Sequence, residues 1–249
     1  MRAAAAATTT AIKMKKTALS LFLFTFSVIA AQDYCFFTPP EGWMPAAKET
    51  LSPLVKVGFL DPKNFGFRAS LNLAEEDIDC NLQEYLDAVK NIHINDHHNT
   101  WSNLGHFPTK AGPAVLTQID STSSWGGIRV LQLILVKDTK AYVLTAAASK
   151  KQFSKFLSAF KTAFGSLNLS DDLFSVVADN TKREKIKKLQ SAYLDGEEAG
   201  WENFQNEVLH GFKELGAYWQ AIVISETLKS PSNKQVCSQT RDLPNLVQK

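Results

Sequence analysis

The stretch Ile128–Val136 constrains the fold more than any other part of this chain. In an extended conformation Ile128, Val130, Ile134 and Val136 point to one side, and Leu131, Leu133 and Leu135 to the other. A strand apolar on both faces lies inside its sheet with a layer over each face. The sheet is therefore sandwiched rather than half-exposed. Lys137–Lys140 turns the chain, and Ala141–Ala148 returns as the partner strand.

The flanking sequence supplies the other strands and the covering helices. Tyr34–Thr38 reads as an edge strand broken by Pro39-Pro40-Glu41-Gly42. Leu54–Leu60 and Phe65–Leu73 are strands separated by Asp61-Pro62-Lys63-Asn64, strong turn chemistry. Asn81 with Glu84 forms a capping-box start for a helix ending near Asn95, with Leu82, Tyr85, Leu86, Val89 and Ile92 on one face. Trp101–Lys110 and Ala114–Thr122 are strands, and Trp125-Gly126-Gly127 is a turn. A second helix begins at Ser149 and Gln152. Its stripe of Phe153, Phe156, Leu157, Phe160 and Phe164 forms a lid on the sheet, and Gly165 stops it. After Ser170 two amphipathic stretches follow. Thr181–Leu194, with a capping box at Thr181 and Glu184, carries Ile186, Leu189, Tyr193 and Leu194. Trp201 to about Leu228 carries Phe204, Val208, Leu215, Trp219 and Ile222, and the two are joined through Asp195-Gly196. Such a hairpin cannot bury its stripe alone and docks on the sheet or on a partner. The organisation is thus a leader over 1–31, an α+β domain over 32–170, a helical hairpin over 171–229 and a polar tail over 230–249.

The leader fixes the compartment. Lys15 and Lys16 precede the apolar run Leu19–Ile29, which closes on Ala30 and Ala31. A basic head, a short apolar middle and a small-residue exit describe a secretory signal peptide, with Met14 as an alternative start. The run is shorter than the roughly 20 residues a membrane span needs, and the mature chain has no comparable stretch. The protein is therefore expected in the periplasm or outside the cell. Removing Arg2, Lys13, Lys15 and Lys16 from the 27 basic residues leaves 23 against 25 acidic. A near-neutral chain argues against a nucleic-acid partner. Cys35, Cys80 and Cys237 allow at most one internal disulfide, and the sequence leaves three pairings open.

Strands, helix, four strands, then helix is an order that resembles the PsbP/DcrB/Mog superfamily. The resemblance covers roughly residues 32–169 and rests on local pieces. These are the aromatic strand, Pro and Gly-Trp of Tyr34–Trp43, the helix Leu82–Ile92, the small-residue turn Gly112-Pro113-Ala114, the hairpin and strand Lys137–Thr145, and the closing helix Phe153–Leu167. Thr139 stands where a glycine would ease a tight turn. The resemblance implies an antiparallel sheet sandwiched by helices (α/β/α) in a secreted bacterial envelope protein. It also implies a non-catalytic accessory or assembly role. No cofactor is implied, and the C-terminal helices are the natural surface for another envelope protein.

Chemistry-bearing clusters are few. No nucleophile-elbow, zinc-protease or phosphate-loop motif occurs, so no catalytic residue is assigned. His93-Ile94-Asn95-Asp96-His97-His98 would set His93, Asp96 and His97 together on a continuing helix, as a metal site or small-molecule enzyme would use them. Helix termination at Asn95 would separate them. Glu75-Glu76-Asp77-Asp79 is expected to be an acidic first turn of the helix rather than a calcium loop. Lys182–Lys188 is a basic helical run that reads as a solvated face, with contact to acidic lipid or to a partner as the alternative.

Overall fold

The computed structural model describes residues 34–63, 66–124, 126–194 and 216–220, all within one compact unit, Gln32–Lys249. The leader, Phe65, Trp125, the Asp195-Gly196 break, Cys237, the tail and the Trp201–Leu228 helix apart from its residues 216–220 lie outside the described residues. In chain order the elements are β1 (Tyr34–Phe36), β2 (Met44–Pro45), β3 (Val55–Leu60), β4 (Ser70–Asp77), α1 (Leu82–Ile94), β5 (Asn99–Thr109), β6 (Gly112–Ser123), β7 (Gly126–Lys137), β8 (Lys140–Ser149), α2 (Phe153–Gly165), β9 (Asn168–Ser170) and α3 (Asn180–Leu194).

Among the described residues, seven strands form one antiparallel sheet in the order β2-β3-β4-β8-β7-β6-β5. The strand expected at the centre, β7, is interior with both faces buried. The middle position belongs to its partner β8, whose residues Ala141–Ala148 are all buried. Alanines leave room above the sheet, and the phenylalanines of α2 fill it: Phe153, Phe160 and Phe164 share a core with Ala146, Ala148, Leu131, Leu133 and Leu144. Trp43 closes one side of this layer, edge-on to Phe156 and Phe160 at 6.1 Å each. The opposite face carries α1, which packs Tyr85, Leu86 and Val89 on Ala74, Val115, Ile134 and Val143. Helices therefore cover both faces, the fold class expected from the sequence.

Local chemistry explains several boundaries. At the start of α1 the Glu84 amide donates to Asn81 Oδ1 at 3.1 Å and the Asn81 amide to Glu84 Oε2 at 2.9 Å, the reciprocal pair the spacing implies. The β7–β8 turn uses Asp138 at a φ of 53°, a conformation that Asp tolerates better than most residues. This is how the hairpin forms without glycine. The edge strand β5 is blunted by Pro108 and by a bulge between Asn103 and Gly105, which disfavours pairing with another chain.

Five expectations need correction. The strand at Tyr34 is not an edge of the main sheet; it pairs with β9, Cys35 opposite Leu169. The strand expected over Phe65–Leu73 is displaced to Ser70–Asp77, because β8 pairs with it all the way to Lys140 and the Ile78 amide is tied to Thr139 O at 2.8 Å. Glu75, Glu76 and Asp77 are consequently strand residues, not a helical first turn. Ser149 ends β8, so α2 starts later, after Gln152, without a side-chain cap. The start of α3 is held by Asp179 rather than Thr181: Asp179 Oδ1 accepts from the Lys182 amide at 3.0 Å.

Of the expected second C-terminal helix, the described residues 216–220 dock on the sheet domain. Tyr218 and Gln220 are fully buried and Trp219 packs on Phe59. The Gln220 amide acts as a substitute strand: its Oε1 accepts from the Phe37 amide at 3.2 Å and its Nε2 donates to Phe37 O at 2.7 Å.

Candidate functional site

On the α1 side of the sheet a polar row crosses the apolar floor. The registers set Asn72 opposite Thr145, Thr145 opposite Gln132, Gln132 opposite Thr117 and Thr117 opposite Asn103. Thr117, Thr145 and Gln132 are buried. Val115, Ile134 and Val143 flank the row beneath α1. Ile119, Val130 and Ala147 flank it on the other side, with Trp101 packed against them. Gln132 Oε1 and Trp101 Nε1 are both buried without a hydrogen-bond partner, and Trp101 belongs to the adjoining row, opposite Ile119. Leaving such a group unpaired costs about 1–3 kcal/mol. The row therefore holds one buried acceptor without a partner, Gln132 Oε1, and the adjoining row one such donor, Trp101 Nε1, neither of which titrates near neutrality. The sequence reading missed it. The signal was present: the apolar series Ile128, Val130, Ile134, Val136 skips Gln132.

A second polar group lies where β4 ends. Glu75 and Glu76, adjacent on a strand, point to opposite faces. Glu76 accepts a hydrogen bond from the Tyr85 hydroxyl; burial raises its carboxyl above the ordinary range, with that bond and Lys56 opposing. Burial also raises the Tyr85 hydroxyl well above its usual value, helped by Glu76. Glu75 has a side chain 2% exposed and 3.9 Å from Lys140 Nζ, too long for a hydrogen bond. Neither of its oxygens finds a hydrogen-bond partner. Burial pushes its carboxyl up to about 7, against the pull of Lys140 and then Lys56, with Asp77 adding a smaller push upward. Glu75 thus exchanges its proton near neutrality in a place shielded from solvent.

The sequence-derived metal candidates are separated by the helix end. α1 stops at Ile94, with Asn95 as its C-cap. His93 is half-buried, and burial lowers its imidazole below the ordinary value while Asp96 opposes. Asp96 turns the chain: Oδ1 accepts from the His98 amide at 2.9 Å and Oδ2 from Asn99 Nδ2 at 3.3 Å. His97, His98 and His106 are exposed. Among the described residues no three of His, Cys, Asp and Glu come together as a metal would require. The basic run of α3 buries only Ile186 between Thr181 and Lys188. The Arg183 guanidinium is directed inward, donating to Val177 O at 2.6 and 3.0 Å. Cys35 is a buried thiol in the α2-side core, whereas Cys80, on the α1 side, is disulfide-bonded.

Comparison with protein-family models and with curated proteins gives no match. Solved structures that the chain is similar to include LpqN of Mycobacterium tuberculosis, a protein involved in cell envelope biogenesis. Identity is 11%, the match covers 58% of this chain and 87% of that one, and the TM-score is 0.43. They also include the cyanobacterial PsbP of Synechocystis, at 15% identity, 58% and 96% coverage and a TM-score of 0.37. Among the described residues no helix is long and apolar enough to cross a membrane.

Proposed function

We propose that this chain is an exported, non-catalytic binding protein of the cell envelope, an accessory or assembly factor. Its sheet is a rigid scaffold, and its C-terminal helical region meets another envelope protein. The leader Lys15–Ala31 supports export. The observation that carries the binding role is the exposed surface of α3, which buries only Ile186 between Thr181 and Lys188. The titratable groups with short contacts serve architecture: Arg129 grips Asp120 through two 2.7 Å bonds across β6 and β7, and Lys187 pairs with Glu184 along α3. α3 turns most of its surface away from the core and so leaves a face for a partner.

The test is site-specific photo-cross-linking of the full chain in its native envelope. A cross-linker at exposed Glu184 on α3 is expected to give a discrete protein adduct, and one at exposed Asp87 on α1 is not. No adduct, or the same adducts from both positions, would count against the reading. A stoichiometric metal in the purified protein that is lost on His93→Ala would favour a metal-binding protein or enzyme using His93 and His97 instead.

A further inference from the structure

The chain has three cysteines, Cys35, Cys80 and Cys237, and the fold separates the first two. Cys35 is a fully buried thiol in the core on the α2 side. Cys80 is half-buried on the α1 side, and its sulfur is in a disulfide. A bridge requires two Cβ atoms directed toward each other, which cysteines packed on opposite sides of a sheet do not offer. Within one chain a single sulfur then remains for Cys80. We infer that Cys80 is joined to Cys237, so that the C-terminal tail is stapled to the loop between β4 and α1.

The loop around Cys80 is built as an anchor. On one side of it the Ile78 amide is tied to Thr139 O at 2.8 Å. On the other, Asn81 and Glu84 hold each other's amides at the start of α1. The tail is the opposite case. Between Ser230 and Lys249 its aliphatic side chains are Val236, Leu243, Leu246 and Val247, too little apolar surface to offset the entropy of ordering it. A covalent bond supplies what packing does not. The bond closes a loop that contains α1, β5 to β8, α2, β9, α3 and Tyr218–Gln220, and so restricts the unfolded chain over most of the domain. It also ties the segment that carries Gln220 to the domain at a second point. Forming the bond takes a disulfide oxidant, an oxidised dithiol protein or a small disulfide of an oxidising compartment. One cysteine thiolate attacks the oxidant's disulfide and displaces one of its sulfurs. The second thiolate attacks the mixed disulfide, closes the Cys80–Cys237 bond and displaces the other. Two electrons pass to the oxidant, and its two sulfurs take up the protons that the cysteines gave up. This inference goes beyond the accessory role, and the two fail separately because neither the bond nor its test involves a partner protein.

The test is tryptic mapping of the full chain, exported with its leader and alkylated without reduction. Cleavage after Arg68, Lys90, Lys234 and Arg241 puts Cys80 in the fragment 69–90 and Cys237 in the fragment 235–241. The two fragments should be recovered as one linked species that reduction splits, with Cys35 alkylated. Cys35→Ser should leave the linked species in place. Urea unfolding gives an independent readout. Cys80→Ser and Cys237→Ser should each lower the folding equilibrium constant by roughly a hundredfold. The double variant should lose no more than either single one, because both changes break the same bond. Dithiothreitol should bring the parent to the level of the variants. Any of the following would overturn the inference: all three cysteines alkylated, a link from Cys35 to either of the others, a dimer on non-reducing gels that Cys80→Ser or Cys237→Ser abolishes, or losses from the two single variants that add in the double one. The mapping is made on the parent chain, so a variant that fails to fold leaves the inference open to refutation.

Discussion

Glu75→Gln is expected to stabilise the protein, increasingly so as pH rises. In the folded chain burial places the Glu75 carboxyl at about 7, against 4.5 for an unperturbed glutamate. Lys140, 3.9 Å away, does not restore the ionised form, because desolvation outweighs its attraction. Below 4.5 both folded and unfolded chains hold the proton, and the residue's contribution is fully present. Between 4.5 and 7 the unfolded chain releases the proton while the folded chain keeps it, so stability falls with rising pH. Above 7 the loss levels off. A difference of about 2.5 pH units corresponds to about 3 kcal/mol at 1.36 kcal/mol per unit. Glutamine is close in shape and does not ionise, so the variant lacks this slope. Urea unfolding followed by circular dichroism, run on both proteins at a series of pH values, isolates the effect, since Glu76 and the other groups are common to both. The variant should match the parent near pH 4 and exceed it by about 3 kcal/mol at pH 8. A flat difference curve would refute the reasoning. So would a variant that becomes relatively weaker with rising pH, the sign expected if an ionised Glu75–Lys140 pair stabilised the fold.

Gln220→Ala strips the Phe37 amide and carbonyl of their buried partners and should cost about 2–4 kcal/mol in urea unfolding. Asp120→Asn should cost about 1 kcal/mol, because the Arg129 pair is partly exposed. The bonds from Arg129 hold the Asp120 carboxyl below its ordinary value, so the parent should lose this contribution as pH falls through the acid range while the variant does not. Peptide mapping under non-reducing conditions should recover Cys35 as a thiol and Cys80 in a disulfide. A Cys35–Cys80 link would contradict their placement on opposite faces of the sheet.

What the sequence disclosed and what it concealed divide by range. The Asn81–Glu84 box, the Phe stripe of α2 and the two-faced strand β7 are written within a few residues, and each forms as its spacing implies. The pairing of Tyr34–Phe36 with β9 joins segments far apart in the chain, and no local pattern announces it. Glu75 and Glu76 misled for the same reason. Acidic residues ahead of a helix normally suit its first turn, but β8 extends the ladder past them and buries both. The polar row was half legible: Thr117, Gln132 and Thr145 each interrupt an apolar strand, yet only the registers reveal that they meet. Gln220 was the least legible, since its partner is the backbone of Phe37 and carries no side-chain signature.

The central claim is a sheet covered on both faces and closed by Gln220, and native-state hydrogen exchange resolved at single amides tests it most directly. The amides of β7 and β8 should exchange only through global unfolding, and the amide of Phe37, held by Gln220, should be nearly as slow. The unpaired edge of β5 should exchange far sooner. Rapid exchange within β7 and β8, or a Phe37 amide as fast as the outer edge of β5, would contradict the account.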